Sequence, residues 1–254
     1  MNRAVRGCLS IDLALAAYRD IGAAIVRADA DGRLFATVLD VPGTGRPTVS
    51  ALVAFIASVS TAEGLGCVAI DGPLGWRSPE TDSPHARLSE RALRAPGKTG
   101  LPPDGVKPRN YLPFTQLSIA LFEALTADGW LLPDAPGTPG DPLLHRPAMR
   151  RVTESFPTAA WRGLGLTPLA GKARCRPDDV RAACARLTEA LPLTIAPHAA
   201  PLTHDQLQAI VGGIAPAWWM AGHTGSLHFA GAPPVRLEGS WREGYILAPS
   251  RPGR

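Results

Sequence analysis

Long apolar runs are missing from this chain of 254 residues. No stretch of 18 or more apolar residues occurs, so no membrane-spanning helix is expected. The basic start, MNRAVRGCLSID, meets Asp12 after a short apolar stretch and does not read as a signal peptide. Cysteine is scarce. Cys8, Cys67, Cys175 and Cys184 form no C-x-x-C pair and match no zinc-site spacing. Free thiols of a reducing compartment, and hence a cytoplasmic location, are the expectation. Lysine is scarcer still, with only Lys98, Lys107 and Lys172. Arginine supplies the other basic side chains, and with the heavy use of Ala, Pro and Gly this reads as the coding bias of a GC-rich genome. The net charge of +4 is compatible with a phosphate-rich partner without arguing for one. Gly97-Lys98-Thr99-Gly100 lacks the G-x-x-x-x-G-K-[ST] frame of a phosphate-binding loop, and no G-x-S-x-G nucleophile elbow occurs.

What is present is ordinary globular composition, 45% hydrophobic and 19% charged. Residues 4–13, 21–28 and 33–40 read as three strands, the last two joined by the D-G turn at 29–32. Val49, Leu52, Val53, Ile56 and Val59 recur at helical spacing over 48–63, ended by Gly64 and Gly66. Cys67 to Asp71 is a short apolar strand of the kind buried on both faces of a parallel sheet. Helices are expected at 84–94, 114–127, 157–164, 178–191 and 205–221, the last opened by a capping box from Thr203 to Gln206. Strands are expected at 149–155 and 241–249. The order gives an α/β domain: a mixed sheet, three antiparallel strands and then parallel ones, with helices on both faces. One domain over 1–254 is expected, with a helical insert at about 72–148.

Four acids stand at informative places. Asp12 lies at the end of the first strand, Asp71 at the end of the strand after the first helix, Glu154 at the end of the strand before Phe156-Pro157, and Asp205 in the first turn of a long helix. In an open α/β sheet, neighbouring strand tips bring such residues together. Clustered carboxylates repel, and a divalent cation relieves them. Two hard ions activate water and stabilise a leaving oxygen in phosphodiester hydrolysis. Each acid also has a plainer reading. Asp71 before Gly-Pro suits a turn, Asp205 suits the helix dipole, and Glu154 could pair with Arg151. The weight comes from the set.

The stretches IDLALAAYRDIGAAIVR (11–27), VAIDGPLGW (68–76), ERALR (90–94), VTESFPTAAWRGLGLTPLAGK (152–172), HDQLQAIVGGIAPAWW (204–219) and EGYILAP (243–249) cover most of the chain. In that order they resemble the domain of unknown function 429 family, predicted nucleases of the ribonuclease H-like fold. The D-x-P-L-G and E-x-F-P-x-x-x-W motifs are the most specific. The resemblance implies a ribonuclease H-like mixed five-stranded sheet, three antiparallel strands and then two parallel ones, and a Mg²⁺ or Mn²⁺ site made by Asp12, Asp71, Glu154 and Asp205. It implies cleavage leaving 3′-hydroxyl and 5′-phosphate ends but does not settle the substrate, which is DNA, RNA or a small nucleotide; a nucleic-acid partner is the expectation. One departure stands out. Many members read D-x-x-D-A on the last helix, as Holliday-junction resolvases of this fold often carry an acid-x-x-acid pair, whereas here Asp205 is followed by Gln208. If position 208 is the ligand position, the site is weakened.

Arg87, Arg91 and Arg94 are spaced to share a helix face and meet phosphates, or to form a solvated salt-bridged helix. Arg91, Arg94, Lys98, Lys107 and Lys172 are the expected substrate-binding cations, since a retained Lys in an Arg-biased chain suits phosphate. Trp161, Trp218 and Trp219 suit either base stacking or core, with core the plainer reading. His204 suits a proton shuttle or a partner to Asp205. The functional expectation is metal-dependent phosphodiester hydrolysis. The rivals are a binding or scaffold protein with a decayed site, and a phosphotransferase of the actin and sugar-kinase type. That last class normally needs two such domains and Gly-rich phosphate hairpins, and this chain shows neither.

Overall fold

A computed structural model of the chain describes residues 6–100, 108–133 and 149–250. The chain opens with β1 (Arg6–Asp12), β2 (Gly22–Ala28) and β3 (Leu34–Leu39), an antiparallel meander. The β2–β3 turn is built as its D-G signal predicts. Asp29 Oδ1 accepts from the amides of Asp31 and Arg33, and Gly32 takes φ +80°. Helix α1 (Val49–Glu63) starts where the Thr48 hydroxyl accepts from Ala51 N–H and stops at Gly64, φ +62°. β4 (Cys67–Asp71) then returns parallel to β1.

After β4 come the short α2 (Leu88–Ala92), α3 (Leu112–Ala127), β5 (Arg151–Ser155), α4 (Pro157–Gly163) and α5 (Pro177–Ala190). The chain ends with β6 (Leu193–Ile195), α6 (His204–Ala221) and the hairpin β7 (Leu227–Leu237) and β8 (Ser240–Pro249). One mixed sheet runs β6-β3-β2-β1-β4-β5-β8-β7. Its five central strands have the expected order and directions, β3-β2-β1 antiparallel and then β4 and β5 parallel to β1. The expected count of five is corrected to eight. β6 is three residues long and pairs only with β3. β7 hides its strand pattern behind Pro233-Pro234, which sit at the register shift between Ala232 and Val235. An outermost strand tolerates prolines because their missing N–H groups leave no ladder bond unmade.

Two helical layers cover the sheet. On one face α6 lies across β1 and β2 with α4 and α5 behind it, burying Val26, Trp161, Leu187, Ile210 and Ile214. On the other, α1 and α3 pack Leu52, Ile56, Leu121 and Phe122 against Ile11, Ile70 and Val152. Burial on both faces explains the unbroken apolar reading of β1 and β4. α3, inside the 72–148 stretch, thus contributes to the main core. The helix expected over 84–94 shrinks to α2, five residues long. No helix among the described residues is long and apolar enough to cross a membrane.

Candidate functional site

The parallel register of β1 and β4 pairs Asp12 with Asp71 at the carboxyl ends of both strands. Laterally paired residues project to the same face, so the two carboxyls lie side by side and share a hydrogen bond. Across β1 on the other side, Asp12 pairs with Gly22 of β2. Gly22 is where α6 arrives. A Cβ there would fall 1.9 Å from the carbonyl oxygen of Asp205, so only glycine lets the helix start this close to the strand. The capping box fixes the start. Thr203 Oγ1 accepts from Gln206 N–H at 3.2 Å, and Gln206 Oε1 accepts from Thr203 N–H at 3.0 Å. Asp205 is thereby swung over Asp12. One ligand atom each from Asp12, Asp205 and His204 lie within 4.8 Å of one another.

The acids are charged unequally. Burial, then the neighbouring Asp71 and Asp205, push the Asp12 carboxyl well above the usual range. Burial, and Glu154 behind it, push Asp71 up to about 7 against the hydrogen bond from Asp12. Burial would raise Asp205 too, but hydrogen bonds from His204 and Lys172 hold it below its usual value. Lys172 Nζ bridges Asp205 Oδ2 and, at 3.0 Å, Asp20 Oδ1. His204 sets Nδ1 2.9 Å from Asp205 Oδ1 and Nε2 3.1 Å from the Ala170 carbonyl. Both ring nitrogens thus face oxygen atoms of the chain.

Glu154 stands apart from that cluster. It is Ser155, not Glu154, that shares a lateral row with Asp71; Glu154 pairs with Ile70 and points to the opposite face. Its oxygens are already used: Arg87 donates from Nη2 to Oε1 at 2.6 Å and from Nη1 to Oε2 at 2.8 Å, and Leu74 N–H donates to Oε2 at 2.8 Å. The two most specific motifs therefore meet here, Leu74 of D-x-P-L-G against Glu154 of E-x-F-P-x-x-x-W. The same motif's Trp161 donates from Nε1 to Gln208 Oε1 at 2.8 Å. Gln208 is thus engaged in the helix packing, and Asp205 is the α6 residue that reaches Asp12.

The expected cations are dispersed. Arg87 is fully buried, bound to Glu154 and close to Glu90, rather than on a phosphate-facing stripe. Arg91 is exposed and donates to the Asp82 carbonyl, and Arg94 is exposed at φ +52°. Lys98 stands 3.7 Å over the Tyr111 ring, close enough to Asp71 to lower its pKa. Lys172 serves as counter-ion to Asp205. Lys107 lies outside the described residues. Sequence reasoning missed Asp20, Gly22 and the Arg87–Glu154 pair. The first two had a faint signal in being separated by one residue just before a strand; the third joins residues 67 apart and had none.

Asp12, Asp71 and Asp205 supply the oxygen donors that Mg²⁺ or Mn²⁺ prefers. The crowding that holds a proton on Asp12 is what such an ion would relieve, so the residues fit the group. A small cleft of about 80 Å³ lies beside Asp71, between Gly72-Pro73, Ala95–Lys98 and the start of α3.

No family model matches the chain, and no curated protein matches it in sequence. Among solved structures, that of Thermus thermophilus RuvC is similar over 86% of this chain and 97% of its own, with 13% identity and a TM-score of 0.39. A likeness of that size leaves the functional reading to the strand order and the acid cluster.

Proposed function

We propose that this chain is a ribonuclease H-like nuclease that hydrolyses phosphodiester bonds of a nucleic acid with Mg²⁺ or Mn²⁺. The observation that carries the reading is the lateral pair Asp12–Asp71 on parallel strand tips, completed by Asp205 from α6. The central order β3-β2-β1-β4-β5 supports it, being the order that the domain 429 resemblance implies. A divalent ion in this site supplies Lewis acidity and a more acidic water. Asp12, Asp71 and Asp205 hold it, and the rigid tips of β1 and β4 fix the first two. Glu154 acts through Arg87 and Leu74 N–H as a positioning residue for the turn after Asp71. Lys172 and His204 orient Asp205, and Lys98, Arg91 and Arg94 border the path of a phosphate chain.

The test is cleavage of labelled single-stranded and duplex DNA and RNA by wild type and Asp12→Asn, with Mn²⁺, with Mg²⁺ and with chelator. Metal-dependent cleavage that falls at least about a hundredfold in the variant is expected. A wild type that cuts none of these substrates, or a variant as active as wild type, overturns the reading. A second reading is favoured by one observation: Asp205 already carries an internal cation partner, Lys172, and a hydrogen bond with His204. A site neutralised from within suits a binding protein that needs no metal, and such a protein keeps its nucleic-acid affinity in chelator without cutting.

A further inference from the structure

Asp205 enters the acid cluster with both carboxylate oxygens engaged. His204 Nδ1 stands 2.9 Å from Oδ1, and Lys172 Nζ meets Oδ2. A divalent ion that binds Asp205 takes one of these oxygens from its present partner. The partners differ in how firmly they are held. The His204 side chain is 15% exposed, sits on α6 beside Asp205 and has its other ring nitrogen 3.1 Å from the Ala170 carbonyl. The Lys172 side chain is 52% exposed and carries its charge on a flexible aliphatic stem. Lys172 is the partner that can leave.

Its backbone is fixed. Lys172 opens a short 3₁₀ turn (Lys172–Arg174), held by Arg174 N–H on the Gly171 carbonyl at 2.8 Å and by Cys175 N–H on the Lys172 carbonyl at 3.3 Å. The ammonium also has a second anchor. Asp20 Oδ1 lies 3.0 Å from Nζ, on the short turn (Tyr18–Asp20) that leads into β2. Asp20 stands outside the group Asp12, His204 and Asp205 whose ligand atoms converge, and hydrolysis gives it no task. An ammonium and a divalent cation repel at contact distance, so they do not share one carboxylate oxygen. Asp20 offers the ammonium a place clear of the ion.

We propose that Lys172 is a tethered substitute for the site's cation, held on Asp205 while the site is empty and handed over to Asp20 when a divalent ion binds. The hand-over rests on the nuclease reading for its ion. A compact ammonium is nearer to a metal ion in shape than the planar guanidinium that this chain uses elsewhere. A monovalent cation carries no more charge than the ammonium and lacks its tether, so it is kept out. A divalent ion enters once its concentration suffices to displace the lysine. Lys172 and Asp20 are thus positioning residues that set which cation the site takes and at what level.

Calorimetric titration of Mn²⁺ into the metal-free full chain tests this without any cleavage, in wild type, Lys172→Met, Asp20→Asn and the double variant. Lys172→Met is expected to bind Mn²⁺ about five- to tenfold tighter than wild type, the effect of removing one half-exposed ion pair as competitor. Asp20→Asn is expected to bind about threefold weaker, because the displaced ammonium finds no partner. In the Lys172→Met background the same Asp20→Asn change should hardly alter binding, since Asp20 acts only through the lysine. Lys172→Gln repeats the test if the methionine variant fails to fold. A folded Lys172→Met protein that binds Mn²⁺ no tighter than wild type overturns the inference, the outcome for a lysine that only orients Asp205. An Asp20→Asn loss of equal size in both backgrounds also overturns it and makes Asp20 a ligand of the ion. Tighter Mn²⁺ binding by Lys172→Met, with no nucleic acid cut by either protein, sinks the nuclease reading alone. Metal-dependent cleavage with equal Mn²⁺ affinity in wild type and Lys172→Met sinks the hand-over alone.

Discussion

Gly22 is the residue on which the site's geometry turns. Its missing Cβ is the space occupied by the Asp205 carbonyl, 1.9 Å from where the Cβ would stand, and by the Gln206 amide nitrogen at 2.8 Å. Backbone atoms cannot rotate away as a side chain end can. Gly22→Ala is expected to push the start of α6 off β2, costing on the order of 1–3 kcal/mol as an overpacked contact. The midpoint of thermal unfolding should fall by several degrees. A millimolar Mn²⁺ titration should then lose its stabilising shift, since Asp205 no longer meets Asp12. A variant with the wild-type Mn²⁺ shift would refute this role.

Asp71 gives the pH dependence. Its folded-state pKa of about 7 lies above that of a free carboxyl, so the folded protein retains a proton that the unfolded chain releases. Stability from this group is complete below about pH 4 and is lost as pH rises toward 7. In chelator, Asp71→Asn should be more stable than wild type at pH 8, by on the order of 2–4 kcal/mol shared with the coupled Asp12, and indistinguishable at pH 4. Added Mn²⁺ should reverse the order at pH 8. Melting curves of both proteins at the two pH values settle the sign.

At the scale of elements, the buried pair Arg87–Glu154 joins the segment before α2 to β5. The Glu243 carboxylate adds β8, accepting from the Leu88 and Ser78 amides and the Thr81 hydroxyl. Arg87→Ala leaves Glu154 and Glu90 buried without their cation, a loss expected to cost about 3–5 kcal/mol. The double variant Arg87→Met, Glu154→Gln removes charge on both sides and should recover a large part of that in urea unfolding. If the single variant is as stable as wild type, the network contributes nothing to the fold.

These elements also show what was legible beforehand. The capping box of α6, the Asp29 turn, the Thr48 and Gly64 ends of α1 and the strand tips at Asp12 and Asp71 were all readable. Each depends on chemistry within a few residues, which the sequence displays directly. β6 and β7 were not readable, because a three-residue edge and a proline-broken edge exist only through their neighbours. Glu154 was placed correctly at a strand end but assigned the wrong surroundings. Which face it takes follows from the register with β4, and its guanidinium partner comes from a loop far away in sequence. That Asp205 lies beside Asp12 while Gln208 is held by Trp161 was not readable, because residues 161 and 208 meet only through the packing of α4 on α6.

Across the whole molecule, the site's three acids come from β1, β4 and α6, and α6 is the long helix laid last across strands made first. A chain grows from its amino terminus, and domains fold as units once their parts are available. Asp12 and Asp71 leave the ribosome well before residue 205 exists. Until His204–Ala221 has emerged, the two strand tips hold crowded carboxyls with no third acid above them. The topology thus completes the acid cluster only after six of the sheet's eight strands have been made, with β7 and β8 still to come.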